Sequence, residues 1–240
     1  MNKLLDFIFP PRCILCGESQ GLLGQTPLCT DCYADLHVNQ LACSRCAIPL
    51  QEKGLRADVS HICGECLLSP PVFDVCWSPF IYAQPLEWMI QQLKFNAKLI
   101  YAPLLASLMM RHLPEALTDN NVPDAIIPMP LHRQRLKQRG FNQSQLLAQP
   151  LARHLGLKID VNSCQREHAT EHQTGKTARQ RKQNIKGAFS FNNHQQYRHL
   201  VIFDDVVTTG SSVAELSRVL KLAGVNRVDV WCLARAEKVK

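Results

Sequence analysis

Leu200-Val-Ile-Phe-Asp-Asp-Val-Val-Thr-Thr-Gly-Ser-Ser212 changes character twice along its length. It opens as a continuous β-branched and apolar run, the pattern of a strand buried on both faces. Two adjacent carboxylates, Asp204 and Asp205, stand at its carboxyl end. Hydroxyls and one glycine follow, and a helical pattern begins directly after them. Open α/β sheets bind their ligands beyond this end of the strands. The N–H groups of Thr209, Gly210, Ser211 and Ser212 would face an anion at the positive end of a helix dipole. The hydroxyls of Thr208, Thr209 and Ser211 would add donors. Gly210 puts no side chain in the path of a phosphate. The plainer alternative makes Ser212-x-x-Glu215 a capping box and the aspartates a mere strand end. Against it, two buried-strand carboxylates beside a phosphate nest are unfavourable without a ribose diol or Mg²⁺ to bind.

Outward from this stretch, strands and helices alternate. Residues 124–129, 159–164, 187–191, 200–206 and 227–234 read as strands, and residues 142–155 and 212–223 as helices. Residues 165–177 read as a long polar loop, followed by a short basic helix to residue 184. Further upstream, residues 73–82 read as a strand and residues 99–113 as a helix. Residues 85–95 form another helix, with Leu86, Met89, Ile90 and Leu93 on one face. The alternation predicts an α/β domain over residues 71–240, with a mainly parallel sheet and flanking helices. Ser69-Pro70-Pro71 marks its boundary with residues 1–70.

That leading segment holds eight of the chain's 11 cysteines, as four C-x-x-C pairs: Cys13/Cys16, Cys29/Cys32, Cys43/Cys46 and Cys63/Cys66. A C-x-x-C knuckle offers two thiolates, and two knuckles complete a tetrahedron around Zn²⁺. The spacings C-x2-C-x12-C-x2-C and C-x2-C-x16-C-x2-C suit two zinc ribbons, so two structural Zn²⁺ are expected. Pairing in sequence order closes each ribbon locally; a cross-brace joining the first pair to the third is the alternative. The segment is poor in aliphatic residues, so metal should supply much of its folding free energy. Cys76, Cys164 and Cys232 lie in strand-like segments and are expected to be buried and inert.

The chain has 240 residues, 46% hydrophobic and 20% charged, which excludes wholesale disorder. The net charge of +7 is unevenly spread: residues 131–187 carry 12 basic and 3 acidic side chains. That block asks for an anionic partner. Asp6 interrupts the apolar run at the amino terminus, Pro10 ends it, and no small-residue cleavage site follows, so a cytoplasmic protein is expected. The apolar stretch of residues 99–110 is far short of the ~20 residues of a membrane span.

The strand, Asp204-Asp205 and Thr208 to Ser212 resemble the phosphoribosyl pyrophosphate (PRPP) signature of type I phosphoribosyltransferases. Ser212 stands where many members have threonine. The resemblance implies that Asp204 and Asp205 hold the ribose hydroxyls with Mg²⁺, while Thr208, Thr209, Gly210, Ser211 and Ser212 cradle the 5′-phosphate. Arg139-Gly-Phe-Asn-Gln143 within residues 126–148, residues 179–189, Leu93-Lys94-Phe95 and the cysteine pairs are similar to the ComF/GntX family of competence and DNA-utilisation proteins. That likeness covers essentially the whole chain. The type I transferase resemblance implies that the loop of residues 130–139 receives pyrophosphate, with His132, Arg133, Arg135, Arg139, Asn142 and Gln143 as anion-binding candidates. His132 is expected as a hydrogen-bond donor there rather than a metal ligand. Residues 166–186 take the place of a mobile hood, with Arg166, Arg179, Arg181 and Asn184 as its candidates. His168 and His172 read as loop residues rather than ligands.

Two function classes follow. One is a PRPP-dependent transferase with an unnamed acceptor and no assignable catalytic base. The other is a non-catalytic module on the same fold that handles single-stranded DNA for the uptake machinery. The family resemblance implies natural transformation or use of extracellular DNA, with DNA-uptake and processing proteins at the inner membrane as partners. Fold alone does not choose between them. Only Phe141 interleaves with the first basic run, which is thin support for base stacking.

Overall fold

A computed structural model describes residues 10–24, 26–50, 59–113, 122–168 and 185–237. Its centre is a parallel sheet in the order β1-β7-β6-β3. The strands are β1 (Val75–Trp77), β2 (Phe80–Ile81), β3 (Ala125–Pro128), β6 (His199–Val207) and β7 (Arg227–Arg235). β2 continues along the same edge of β7 as β1, pairing Phe80 with Ala234. β4 (Cys164–Arg166) and β5 (Phe189–Phe191) form a separate antiparallel pair.

β6 and β7 are apolar on both sides because helices cover both faces. Val201 and Phe203 of β6 join Trp231 and Leu233 in one cluster. That cluster meets α3 (Leu86–Asn96), α4 (Tyr101–Met110) and α6 (Gln143–Leu155). Leu200 and Ile202 turn to the other face and meet Val213, Leu216 and Leu220 of α7 (Ser211–Leu222). The period-2 alternation of a strand separates these residues, and the parallel register aligns the carboxyl ends. The expected apolar face of α3 is the one that is buried. Among the described residues no helix is long and apolar enough to cross a membrane.

The cysteine segment carries two short helices, α1 (Thr30–Ala34) and α2 (Gly64–Leu68). Its first half does not rest on metal alone: Cys13, Leu28, Cys29 and Leu36 are buried in the same cluster as α3, α4 and α6. In the second half, Cys43, Ile48 and Cys66 form a small cluster of their own, and Ala47 joins the cluster on the α7 face of the sheet.

Four expectations about local structure are corrected. The strand over residues 73–82 breaks into β1 and β2 at Ser78-Pro79, because proline cannot donate to the ladder. The strand over residues 159–164 shrinks to a bridge between Ile159 and Ile126. Asp160 Oδ1 accepts the N–H groups of Asn162 and Ser163, each at 2.9 Å, and turns the chain there. Pairing restarts at β4, which keeps Cys164 in a strand and takes Gln165 and Arg166 out of the predicted loop. Residues 130–139 are not all loop: Arg133–Arg139 is a helix, α5, capped by His132 and ended by Gly140 in left-handed conformation at φ 81°. The rest of the polar loop and the basic helix fall largely on residues 169–184, outside the described residues.

Candidate functional site

The eight paired cysteines gather into two clusters in sequence order, Cys13/Cys16/Cys29/Cys32 and Cys43/Cys46/Cys63/Cys66. Within each, the four sulfurs lie within 4.8 Å of one another. Cys16 and Cys29 Sγ are 3.6 Å apart, and Cys46 and Cys63 Sγ 3.8 Å. A Zn–S bond of ~2.3 Å gives a tetrahedron edge of about 3.8 Å, so the separations fit a zinc and are far too long for disulfides. The N–H of Cys32 donates to Cys29 Sγ at 3.5 Å, and that of Cys63 to Cys43 Sγ at 3.3 Å. Burial pushes the Cys13 and Cys43 thiols up, but backbone N–H donors outweigh it and bring them to about 6 and about 7. Burial and neighbouring thiols raise Cys32 and Cys66. Four thiolates so close need a cation, and all four sulfurs of each cluster are used, so these are closed structural sites. Cys76, Cys164 and Cys232 are buried, and burial pushes Cys164 up to about 12.

The second candidate site lies at the carboxyl ends of β3, β6 and β7. Asp204, Val206 and residues 207–213 line a small hollow of about 50 Å³. α7 starts there without a side-chain cap, its N-cap Gly210 at φ 76°. Ser212 forms no capping box, because Glu215 instead accepts the Gly187 N–H at 2.8 Å and pairs with Arg218. The Ser211 N–H donates to Thr209 Oγ1 at 3.4 Å, while Ser212 and Val213, which also line the hollow, open the helix at the positive end of its dipole with no N-cap side chain. Thr209 Oγ1 and Ser211 Oγ meet at 3.0 Å above it. A Cβ on Gly210 would meet Val207 and Val213 only at 3.9 Å, so the left-handed backbone is what demands glycine.

The two aspartates divide. Asp205 is buried, and its Oδ2 pairs with Lys94 Nζ from the end of α3 at 2.5 Å. Asp204 is half-buried at the hollow; its Oδ1 accepts the Ser144 hydroxyl at 3.1 Å and the Asp205 N–H at 2.9 Å. Burial, then repulsion from Asp205, pushes Asp204 up to about 8, with Lys94 opposing. Burial would lower Lys94, but the charges of Asp205 and Asp204 outweigh it and raise it. So Asp205 is spent on an internal ion pair, and Asp204 is the carboxylate left to a ligand.

The basic candidates also divide. His132, Arg133, Asn142, Asp160 and Arg166 line a cleft of about 520 Å³ between α5 and β4. His132 Nδ1 accepts the Gln134 N–H at 3.3 Å, so this nitrogen caps α5 rather than donating as expected. Asn142 is committed to the fold: its Oδ1 caps α6 and its Nδ2 donates to the Met129 carbonyl at 3.1 Å. Gln143 is buried and takes a hydrogen bond from Arg139 Nη1. Arg135 and Arg139 instead line a groove of about 260 Å³ with Lys94 and Phe95. Arg139 lies 5.8 Å over the Phe95 ring, and Phe95 is 71% exposed. Burial lowers both guanidinium groups, Arg139 also through Arg135. Arg166 stacks 5.5 Å over Phe189, and burial and Arg135 lower it. Arg179, Arg181 and Asn184 lie outside the described residues, as does His172.

Lys94, Phe95 and Ser144 are site residues that local pattern does not reveal. Lys94 and Phe95 belong to a family-like motif, but nothing around them says that Lys94 reaches a strand more than a hundred residues later.

A family model for a double zinc ribbon domain matches residues 4–67. The chain is 40% identical over 229 residues to "DNA utilization protein YhgH" of Escherichia coli O6:H1, covering 94% of this chain and 97% of that protein. The Salmonella typhimurium protein of the same name is 38% identical over 228 residues, with the same coverage. "Competence protein F" of Haemophilus influenzae is 35% identical over 230 residues, again 94% and 97% of the two chains.

Proposed function

Because the chain belongs to the family of competence protein F and the DNA utilization proteins, we propose that it serves the uptake or use of extracellular DNA by binding PRPP with Mg²⁺ at the end of β6. The carrying observation is the uncapped start of α7 beside the half-buried Asp204. N–H groups and hydroxyls of residues 208–212 take the 5′-phosphate, and Asp204 takes the ribose diol. Asp205 acts through Lys94, keeping a cation beneath the site. Asp204 fits a divalent cation, because Mg²⁺ is held by one or two carboxylates together with substrate phosphates. Bound there, Mg²⁺ neutralises diphosphate charge. Arg133 and Arg166 line the cleft beside it and suit the pyrophosphate. Transfer to an acceptor would rest on positioning and charge stabilisation, so no residue is named as catalytic. The cysteine ribbon, residues 1–70, is the structural support of a domain that begins at residue 71. The protein works in the cytoplasm beside the membrane-bound uptake machinery.

One feature favours the non-catalytic reading. Phe95 under Arg139, with Arg135 and Lys94 in the same groove, supplies the exposed aromatic beside cations on which a base of single-stranded DNA stacks. Calorimetry with PRPP and Mg²⁺, followed by pyrophosphate release with candidate acceptors, separates the two. Binding with release supports the transferase. Binding without release supports the DNA-handling module, and no binding of PRPP rejects the site.

A further inference from the structure

Arg235 ends β7 opposite Val207 of β6, with 6% of its surface exposed. Its Nη1 donates to the Val207 carbonyl at 2.8 Å, to the Ala236 carbonyl at 3.2 Å and to the Thr208 carbonyl. Its Nε points the other way and donates to the Cys46 carbonyl at 3.0 Å. One side chain thus joins the first residue of the phosphate loop to a ligand residue of the second cysteine cluster.

The cluster side of this link is held at three successive carbonyls. Arg45 accepts the Cys76 N–H from β1 at 2.8 Å, Cys46 accepts Arg235, and Ala47 accepts Asn39 Nδ2 at 2.9 Å. Ala47 is left-handed at φ 54°, a conformation that a residue with a Cβ keeps only when its surroundings impose it. What imposes it is the knuckle: the Ala47 N–H donates to the Cys43 carbonyl at 2.8 Å, and Cys43 and Cys46 share the cluster. The loop side gains twice. The carbonyls of Val207 and Thr208, at the entry to the loop, are both held by the one guanidinium, and the same Nη1 also holds the Ala236 carbonyl, which fixes the β7 end against that entry. The partners of Arg235 among the described residues are carbonyls, so its positive charge stays available beneath an anion.

We infer that Arg235 is a positioning residue that couples the metal state of the Cys43/Cys46/Cys63/Cys66 cluster to the affinity of residues 208–212 for a phosphate monoester. The coupling is a property of the fold. Only its reading as affinity rests on the proposed phosphate site. With metal bound, the knuckle presents the Cys46 carbonyl and the guanidinium fork is fixed. When metal leaves, the knuckle relaxes, Nε loses its acceptor and the loop loosens.

The test uses the full chain, loaded with zinc, and titrates PRPP with Mg²⁺. Arg235→Met should weaken binding about tenfold (~1.4 kcal/mol), and Arg235→Lys, which keeps the charge but not the fork, should fall between. Cys43→Ser, with loss of one zinc checked by elemental analysis, should weaken binding by a similar factor alone. In the Arg235→Met background it should add less than twofold. Losses that multiply, or wild-type affinity in Cys43→Ser, would overturn the coupling. If Cys43→Ser does not fold, graded chelation of wild type against Arg235→Met makes the same comparison: a smaller loss in Arg235→Met supports the coupling, and equal losses overturn it. Amide hydrogen exchange at residues 208–212 without ligand reads the coupling independently of PRPP. It should quicken in both single variants and no further in the double, and unchanged exchange rejects the link. Wild type that binds no PRPP while its exchange follows this pattern rejects the proposed function and keeps the coupling.

Discussion

The cysteine clusters and the cleft at the end of β6 handle like charges in opposite ways. Each cluster collects four thiols within 4.8 Å and closes on one cation, leaving no valence to a ligand. The cleft sets Asp204 and Asp205 side by side but neutralises only Asp205, through Lys94, and starts α7 at a glycine that offers no capping side chain. A closed arrangement shows its energy as stability. An open one leaves a buried carboxyl in an unfavourable charge state. Perturbing the clusters should therefore move stability first, and perturbing the open half of the cleft should move affinity first.

The largest effect belongs to the clusters. Cys13→Ser should cost one of two zincs and roughly 5 kcal/mol or more, part of the ~10–16 kcal/mol that structural zinc contributes. Cys13 and Cys29 sit in the main core, so the loss should lower the melting temperature of the whole molecule. Cys43→Ser should first loosen the small cluster with Ile48 and Cys66. Elemental analysis with thermal denaturation reads both. Two zincs and an unchanged transition in Cys13→Ser would break the comparison.

Lys94→Met tests the closed half of the cleft. It leaves Asp205 buried without its cation, and breaking such a pair costs about 3 kcal/mol. Urea denaturation at neutral pH measures it. A loss under about 1 kcal/mol, the scale of an exposed pair, would mean that Asp205 is not closed off.

Asp204→Asn tests the open half, and its sign is opposite. The Asp204 carboxyl is raised from 3.8 to about 8 in the folded protein, so the folded state binds a proton that the unfolded chain releases. Its stabilising share is complete below about pH 4 and is lost as pH rises through about 8. The variant should therefore melt higher than wild type, by a margin that grows from pH 5 to 8.5, while binding PRPP and Mg²⁺ at least tenfold more weakly. Wild-type affinity should climb between pH 7 and 9, by at most about tenfold per unit below the pKa. A flat profile, or a variant that melts lower, would show that Asp204 is not held in an unfavourable charge state.

The smallest effect concerns the groove. If Arg135 and Arg139 track a DNA backbone, log affinity for an oligonucleotide should fall by ~0.7 per neutralised phosphate for each log unit of salt. Arg139→Ala should lower that slope by a fraction of one, and Phe95→Ala should weaken binding about tenfold without changing it. An unchanged slope in Arg139→Ala and unchanged affinity in Phe95→Ala would reduce the groove to a solvated basic face.

Much of this was legible in the chain. β6, its two aspartates, the loop and α7 follow one another without a gap, so the local pattern contains the whole unit. The cysteine pairs are likewise local, and sequence-order pairing is the arrangement found. The division of labour between Asp204 and Asp205 was not legible. It depends on Lys94 and Ser144, which sit on two other elements. The helix at Arg133–Arg139 was hidden because its charges read as a ligand loop, and the break between β1 and β2 because the apolar run continues across Pro79. Asn142 and Gln143 belong to the family-like motif, yet one caps a helix and the other orients Arg139.

The sequence by itself determined what is built from neighbours: the zinc-ligating knuckles, the buried parallel strands, the hydroxyl-and-glycine loop between β6 and α7, and the basic block. Spacing along the chain sets these, because a thiolate pair, a strand period or a helix start needs only a few adjacent residues. The tertiary structure alone decided which charges are spent and which are left. It put Lys94 on Asp205, left Asp204 to the hollow, and ran Arg235 from a zinc knuckle to the loop. Those outcomes turn on burial and on distances of about 3 Å between residues far apart in the chain, and no local pattern encodes either.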